Sequence, residues 1–299
     1  MDNLRLMNIF SVVAESNGFA AAARRLAMSP PSVTRAVSEL ENELGAKLFH
    51  RTTRTVRLTE IGENYLQDVR RIIDDVNAAN AAVTGLRAAP VGGMSVTAPV
   101  LFGQMYIAPT ISKYLKKWPD TQIHALFLDR VVNMLEEGMD VAVRIGHLPD
   151  SNMRAVRVGQ VRVITCASPK YLEKHGIPNH PRELTDHQTI SSLALNPTPK
   201  WRFCIDGKDR YVNVKPRLTS TSNGGAISAA CSGLGITRLI SYQVAPDLTK
   251  GSLKTVLEEF ELPKLPIHIL HREEQGGSAK IREFIDMLKT DLRANPNIN

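Results

Sequence analysis

The stretch Phe19–Thr59, FAAAARRLAMSPPSVTRAVSELENELGAKLFHRTTRTVRLT, decides the fold. An alanine-rich helix runs from Phe19 to about Ala27, and MSPP breaks it. Ser29 stands where a side-chain oxygen accepts a bond from an early helix amide. Pro30 and Pro31 follow in the first turn, where an amide donor has no intrahelical partner anyway. The prolines therefore start a helix. In it, Val33, Val37, Leu40 and Leu44 recur at i, i+4, i+7 and i+11, which makes one apolar stripe. Ser32, Arg35 and Ser38 lie off that stripe, and Thr34 flanks it. A short helix, a tight turn and a second helix opening on small polar groups and one arginine predict a helix-turn-helix. Hydroxyls and helix-start amides suit phosphate oxygens, and an arginine can fork onto guanine in the major groove. On a lone helix, Thr34, Arg35 and Ser38 would be no more than a solvated face.

The next segment shifts that balance. Lys47–Arg57, KLFHRTTRTVR, holds four Lys/Arg, three Thr and no acid. Its ends alternate like strands around HRTTR, which predicts a small basic hairpin, a wing. Arg51 and Arg54 would reach the DNA backbone or the minor groove, with Thr52 or Thr53 adding phosphate bonds. Thr59 then caps a long helix with Glu60 in its first turn. There Tyr65, Val69, Ile72, Val76, Ala79, Val83 and Leu86 step alternately by 4 and 3, a heptad seam. Such a narrow seam predicts pairing with a second copy. The alternative is packing on its own domain, for which no nearby segment offers a matching surface.

Beyond the linker RAAPVGG the pattern changes to alternating strands and helices. MSVTAPV, TQIHALFL, MDVAVRIG, RVGQVRVITCAS, RYVNV, GITRLI and LPIHILHR read as strands. LFGQMYIAPTISKYLKKW, VVNMLEEG, a glycine-led helix in TSNGGAISAACSG and SAKIREFIDMLKTDL read as helices. This predicts an α/β region with mostly parallel strands, which binds small ligands beyond strand ends at helix starts.

Totals exclude several classes. A chain of 299 residues predicts two or three domains. No run of about 18 apolar residues offers a membrane span. Asp2 and a missing cleavage-like site argue against an export signal, so a cytoplasmic location is expected. Cys166, Cys204 and Cys231 are far apart, and no histidine pairing suggests zinc. No cofactor or metal is expected. The net charge of +7 is weak support for DNA, because residues 1–90 hold 11 Lys+Arg against 10 Asp+Glu. Local clustering has to carry that argument.

Together the halves resemble the LysR-type transcriptional regulators, through AAARRLAMSPPSVTRAVSELENELGAKLFHRTTRTVRLTEIG and the order of everything downstream. The branch with RTTR in the wing and DVAVRIG in the second half is particularly similar. The resemblance implies an α+β multi-domain protein. A winged helix-turn-helix covers 1–59, a linker and dimerisation helix with hinge 60–90, and a two-lobed α/β effector domain, like a periplasmic binding protein, 91–299. Lobe I would be about 91–160 with 266–299, and lobe II about 161–265. It further implies double-stranded operator DNA, a small-molecule effector and a second copy as partners, commonly as a dimer of dimers, and leaves contact with RNA polymerase open. DNA contacts would come from Ser29, Pro31, Ser32, Thr34, Arg35 and Ser38, and from Arg51, Thr53 and Arg54 on the wing. Many relatives have glutamine at the position of Pro30, and proline cannot make the two-pronged amide contact to adenine. Base readout then leans on Arg35 and the hydroxyls.

The effector would lie between the lobes, against Pro99, Val100, Leu101, Phe102 and Gly103. Free amides there favour an acid or another acceptor. Ser222 and Asn223 would face them, with Arg144 and Gly146 nearby. Ser222 could equally be a helix cap and Arg144 a structural ion-pair member. The apolar Val100, Leu101 and Phe102 point to a partly hydrophobic or aromatic effector, or to none. An enzyme is the rival class, but no Gly-x-Ser-x-Gly elbow, P-loop or Gly-x-Gly-x-x-Gly after a strand occurs. A solute-binding protein is the other, opposed by the first ninety residues.

Overall fold

The computed structural model describes residues 3–16, 18–51, 56–83, 89–148, 153–195, 198–272 and 278–298. Two compact units emerge. The first spans Met1–Gly93 and takes in Asp120–Gln122 and Glu274–Arg282; the second takes the rest.

The first unit opens with helices α1 (Asn3–Glu15), α2 (Phe19–Arg25) and α3 (Pro30–Leu44). Between α2 and α3 the chain turns at Ala27, whose φ of 50° is left-handed and costs an L-residue about 1–2 kcal/mol. Ser29 caps α3, its Oγ accepting the Ser32 amide at 3.3 Å. Gly45, at φ 63°, ends that helix. Val33, Val37 and Leu40 are buried as the stripe predicts, whereas Leu44 is 43% exposed. In α1 Leu4, Met7, Phe10 and Ala14 recur at helical spacing, yet the buried apolar set is Leu6, Ile9, Phe10, Val12 and Val13, and Leu4 is 37% exposed. The cause is that α1 packs against both α3 and α4 (Glu60–Val83), so two faces are covered.

Strands β1 (Phe49–Arg51) and β2 (Val56–Leu58) pair antiparallel, Phe49 opposite Leu58. A buried carboxylate fixes them to α3: Glu41, 2% exposed, accepts the Leu48 and Phe49 amides at 3.0 and 3.3 Å and pairs with Lys47 at 2.9 Å. Thr59 starts α4, its Oγ1 accepting the Gly62 amide at 2.9 Å while donating to the Lys47 carbonyl at 2.7 Å. A Cβ on Gly62 would stand 2.1 Å from the Leu48 carbonyl oxygen, so only glycine fits this approach.

The second unit holds two five-stranded sheets. After β3 (Gly92–Ala98) comes a helical run, α5 (Val100–Phe102), a π-turn at Gly103–Ile107 and α6 (Ala108–Lys117). Then follow β4 (Thr121–Phe127), β5 (Val141–Ile145), β6 (Met153–Val161), β7 (Val163–Ala167), α7 (Pro169–His175) and β8 (Thr189–Ser192). The chain continues with β9 (Lys200–Ile205), β10 (Lys208–Asn213), β11 (Pro216–Ser220), α8 (Asn223–Cys231), β12 (Ile236–Ile240) and α9 (Ser241–Lys250). It closes with β13 (Lys254–Val256), β14 (Leu265–Arg272) and α10 (Ala279–Arg293). Lobe I has sheet order β4-β3-β5-β14-β6, and lobe II has β11-β8-β12-β7-β13.

Both sheets are mixed, which corrects the expectation of mostly parallel strands. β3–β5, β11–β8 and β8–β12 are parallel, whereas β14 runs against β5 and β6, and β7 against β12 and β13. These antiparallel pairs all involve β7 or β14, the strands on which the chain enters a lobe from the other one. It passes from β6 of lobe I to β7 of lobe II across one residue, Arg162, and returns from β13 of lobe II to β14 of lobe I without an α-helix.

VVNMLEEG is also not a helix. Asn133 Oδ1 accepts the Leu135 amide at 3.2 Å, Glu137 accepts the Asn133 amide and pairs with Arg130 at 2.6 Å, and Gly138 turns away at φ 62°. These side-chain bonds close one turn and compete with helix propagation. In lobe II the β9–β10 hairpin lays Trp201 and Phe203 over Ile236 and Val256, while Ala226, Ala230 and Val244 of α8 and α9 cover the opposite face. No described helix is long and apolar enough to cross a membrane.

Candidate functional site

The amino end of α3 gathers the polar residues singled out in the sequence. Ser29 and Pro31 are exposed, Ser32 and Thr34 half-buried, and Arg35 exposed. The Ser29 and Ser32 hydroxyls lie 2.7 Å apart, and Thr34 Oγ1 donates to the Pro30 carbonyl at 3.0 Å, leaving its lone pairs to accept. Arg35 makes no ion pair among the described residues. Thr34, Arg35 and Ser38 line a shallow groove with Glu39, Asn42 and Glu43. The two carboxylates, not weighed from the sequence, make the carboxyl half of this face repel anions and leave its attraction for them to the cap region and Arg35. Of the wing residues, Thr53 and Arg54 lie outside the described residues, and Arg51 is placed only as the last residue of β1.

The seam on α4 needs correction. Val69 is 0% exposed and sits in the first unit's own core beside Leu66, with Tyr65 and Ile73 packed against the same cluster. Tyr65 meets Phe10 at a ring separation of 5.4 Å. α1 supplies the matching surface that the sequence did not reveal, because its second buried face was unrecognised. Ile72 is 37% exposed and Val76 half-buried. The side chains of Ala79 and Val83, and Leu86 altogether, lie outside the described residues.

In the second unit the expected cleft residues divide. Phe102 is fully buried in a ring cluster with Tyr106 and Tyr242, at 5.0 and 5.2 Å, so it joins the lobes and does not line a cavity. Gly103 is buried under the Phe127 ring. Pro99, Val100 and Leu101 are half-buried. The Val100 amide is not free: it donates to Asp129 Oδ1 at 3.1 Å. Asp129 Oδ2 in turn accepts Asn223 Nδ2 at 3.2 Å, and Asn223 Oδ1 accepts the Ser192 hydroxyl at 2.7 Å. Of the amides expected to stand open to an acid here, that of Val100 is therefore already taken by a carboxylate of the chain.

Ser222 caps α8, its Oγ accepting the Gly225 amide at 3.3 Å. Gly146 donates its amide to the Pro266 carbonyl at 2.9 Å. Arg144 is half-buried, with contacts of 3.5 Å to the Val132 and Val143 carbonyls. Burial lowers its pKa, countered by Glu137 and reinforced by Arg130. The structure therefore brings Val100 and Asn223 together and leaves Arg144, Gly146 and Ser222 in other arrangements. Asp129 and Ser192 were missed: Asp129 falls between a predicted strand and a helix that does not form.

Among the cysteines, burial, with Cys231 and Asp247 nearby, pushes the Cys166 thiol up to about 12. At neutral pH it stays protonated and unreactive. Among the described residues, no cluster of His, Cys, Asp or Glu could hold a metal ion.

Residues 4–63 match the family model of the bacterial regulatory helix-turn-helix protein, lysR family, and residues 87–293 match the LysR substrate binding domain. The chain is 31% identical to the HTH-type transcriptional regulator CrgA of Neisseria meningitidis serogroup B (strain ATCC BAA-335 / MC58), covering 98% of each chain. It resembles the structure of CrgA from Neisseria meningitidis with a TM-score of 0.63 at 30% identity, over 97% of this chain and 99% of that one. The full-length structure of the Vibrio cholerae virulence activator AphB is similar at a TM-score of 0.61 and 26% identity, over 97% and 99%.

Proposed function

The chain belongs to the LysR family of bacterial transcriptional regulators, and we propose that it reads operator DNA with the amino half of α3 and with its wing. Its relatives are transcriptional regulators, not enzymes, and small-molecule effectors are typical of the family. In this reading, residues 1–59 bind DNA, 60–90 link and pair subunits, and 91–299 sense the effector. Arg35 reads a base edge, while Ser29, Pro31, Ser32, Thr34 and Ser38 position the helix on phosphates. Arg51, Thr53 and Arg54 hold the backbone or minor groove. Two copies pair through the part of α4 beyond Val69, from Ile72 and Val76 toward Ala79, Val83 and Leu86, and two dimers form a tetramer. Such a protein works in the cytoplasm, where contact with RNA polymerase would turn operator binding into activation or repression.

The observation that carries this reading is an exposed arginine without an ion pair among the described residues, one turn into a Ser29-capped helix. Gel-shift with the DNA upstream of the gene tests it. Retarded, salt-sensitive complexes are expected, with a steeper preference over scrambled DNA than nonspecific binding allows. No complex at low ionic strength would end the proposal.

A further inference from the structure

We infer that Asp129 is a specificity-determining residue of the cleft between the lobes: its carboxylate occupies the place of a ligand carboxylate, so the cleft rejects acidic effectors and accepts those presenting an N–H or O–H donor. The inference rests on reading the C-terminal region as effector-binding.

The geometry is that of a bound acid. One carboxylate oxygen takes the backbone amide of Val100 in lobe I, and the other takes the side-chain amide of Asn223 in lobe II. Asn223 is 4% exposed, and its orientation follows from its neighbour: Ser192 donates to Oδ1, so Nδ2 has to face Asp129. Both of Asp129's hydrogen-bond donors are neutral. The adjacent cation, Arg130, is committed to Glu137 through two bonds of 2.8 and 2.6 Å. Asp129 makes no ion pair among the described residues. An ionised carboxylate offers about four lone-pair positions, and two are filled here. The remainder can receive donors, such as an ammonium or a hydroxyl. A second carboxylate would meet like charge at a half-buried site and find its two amide donors already taken.

The test uses the full-length protein and two probes, benzoate and benzylamine, titrated at constant ionic strength with chloride as the control anion. Asp129→Ala leaves the Val100 amide and the Asn223 amide facing a carboxylate-sized gap. Benzoate should fill it, binding the variant at least tenfold more tightly than wild type by calorimetry, with a rise in melting temperature. Benzylamine should show the reverse preference. Asp129→Asn removes the charge with little change of shape, and decides the matter if the alanine variant does not fold: benzoate should again bind it more tightly than wild type. Wild type binding benzoate as tightly as either variant overturns the inference, and so does a folded variant that gains no benzoate affinity. Probe binding itself separates the two failures. A probe that binds wild type or a folded variant with the wrong preference confines the fault to Asp129, whereas neither probe binding any folded form removes the effector-binding reading beneath it.

Discussion

Arg35 is exposed on the side of α3 that also carries Glu39 and Glu43, so attraction for DNA is concentrated in one cation and a capped helix start. That concentration makes single substitutions informative. Arg35→Ala should cost about 1–3 kcal/mol against the preferred operator and much less against scrambled DNA, because a base-edge contact carries sequence information. Arg54→Ala should weaken both equally and reduce the slope of log affinity against log salt by about 0.9. Competition anisotropy over a salt series reads both effects. Equal losses for Arg35→Ala on the two DNAs would reassign that arginine to the backbone. The hydroxyls were legible in the sequence as a group. The acids beside them were not, because an apolar stripe says which face is buried and nothing about the balance of charge on the other.

Elements are joined here by polar clamps that no periodicity reports. Glu41 ties α3 to β1 through two backbone amides and Lys47. Glu41→Ala would strand both amides, and urea denaturation should show roughly 3 kcal/mol lost from the first unit, with DNA binding falling in parallel. In the second unit Asp291 of α10 accepts Thr110 Oγ1 at 2.7 Å and Lys113 at 3.0 Å from α6. Burial alone would raise this carboxyl's pKa, but the bonds from Thr110 and Lys113 and the lysine charge outweigh it and hold it below the ordinary aspartate value. Its stabilising contribution is therefore complete above that ordinary value and disappears as pH falls through the lowered folded one. Asp291→Asn should cost about 1–2 kcal/mol near neutrality, discounted for partial exposure. The difference in melting temperature from wild type should shrink toward zero in acid. A constant gap down to pH 3 would assign the effect to shape.

At the scale of the whole molecule the question is how copies associate. With Val69 inside the first unit's core, Val69→Ala should lower stability by roughly 2 kcal/mol and leave the association constant unchanged. Ile72→Glu should do the opposite, weakening the dimer in sedimentation equilibrium while the monomer stays folded. The reverse pattern would restore the full seam. By itself the sequence determined the helix-turn-helix, the proline-started third helix, the α/β character of the remainder and the family, because caps, breakers and apolar spacing are local and act within a few residues. Tertiary structure alone decided that the start of α4 packs on α1, that both sheets are mixed and that VVNMLEEG stops after one turn. It also decided that Asp129 reaches from one lobe to an asparagine 94 positions away. Each of these depends on which surfaces meet, and a carboxylate's partner across such a distance is set by the fold that brings it there.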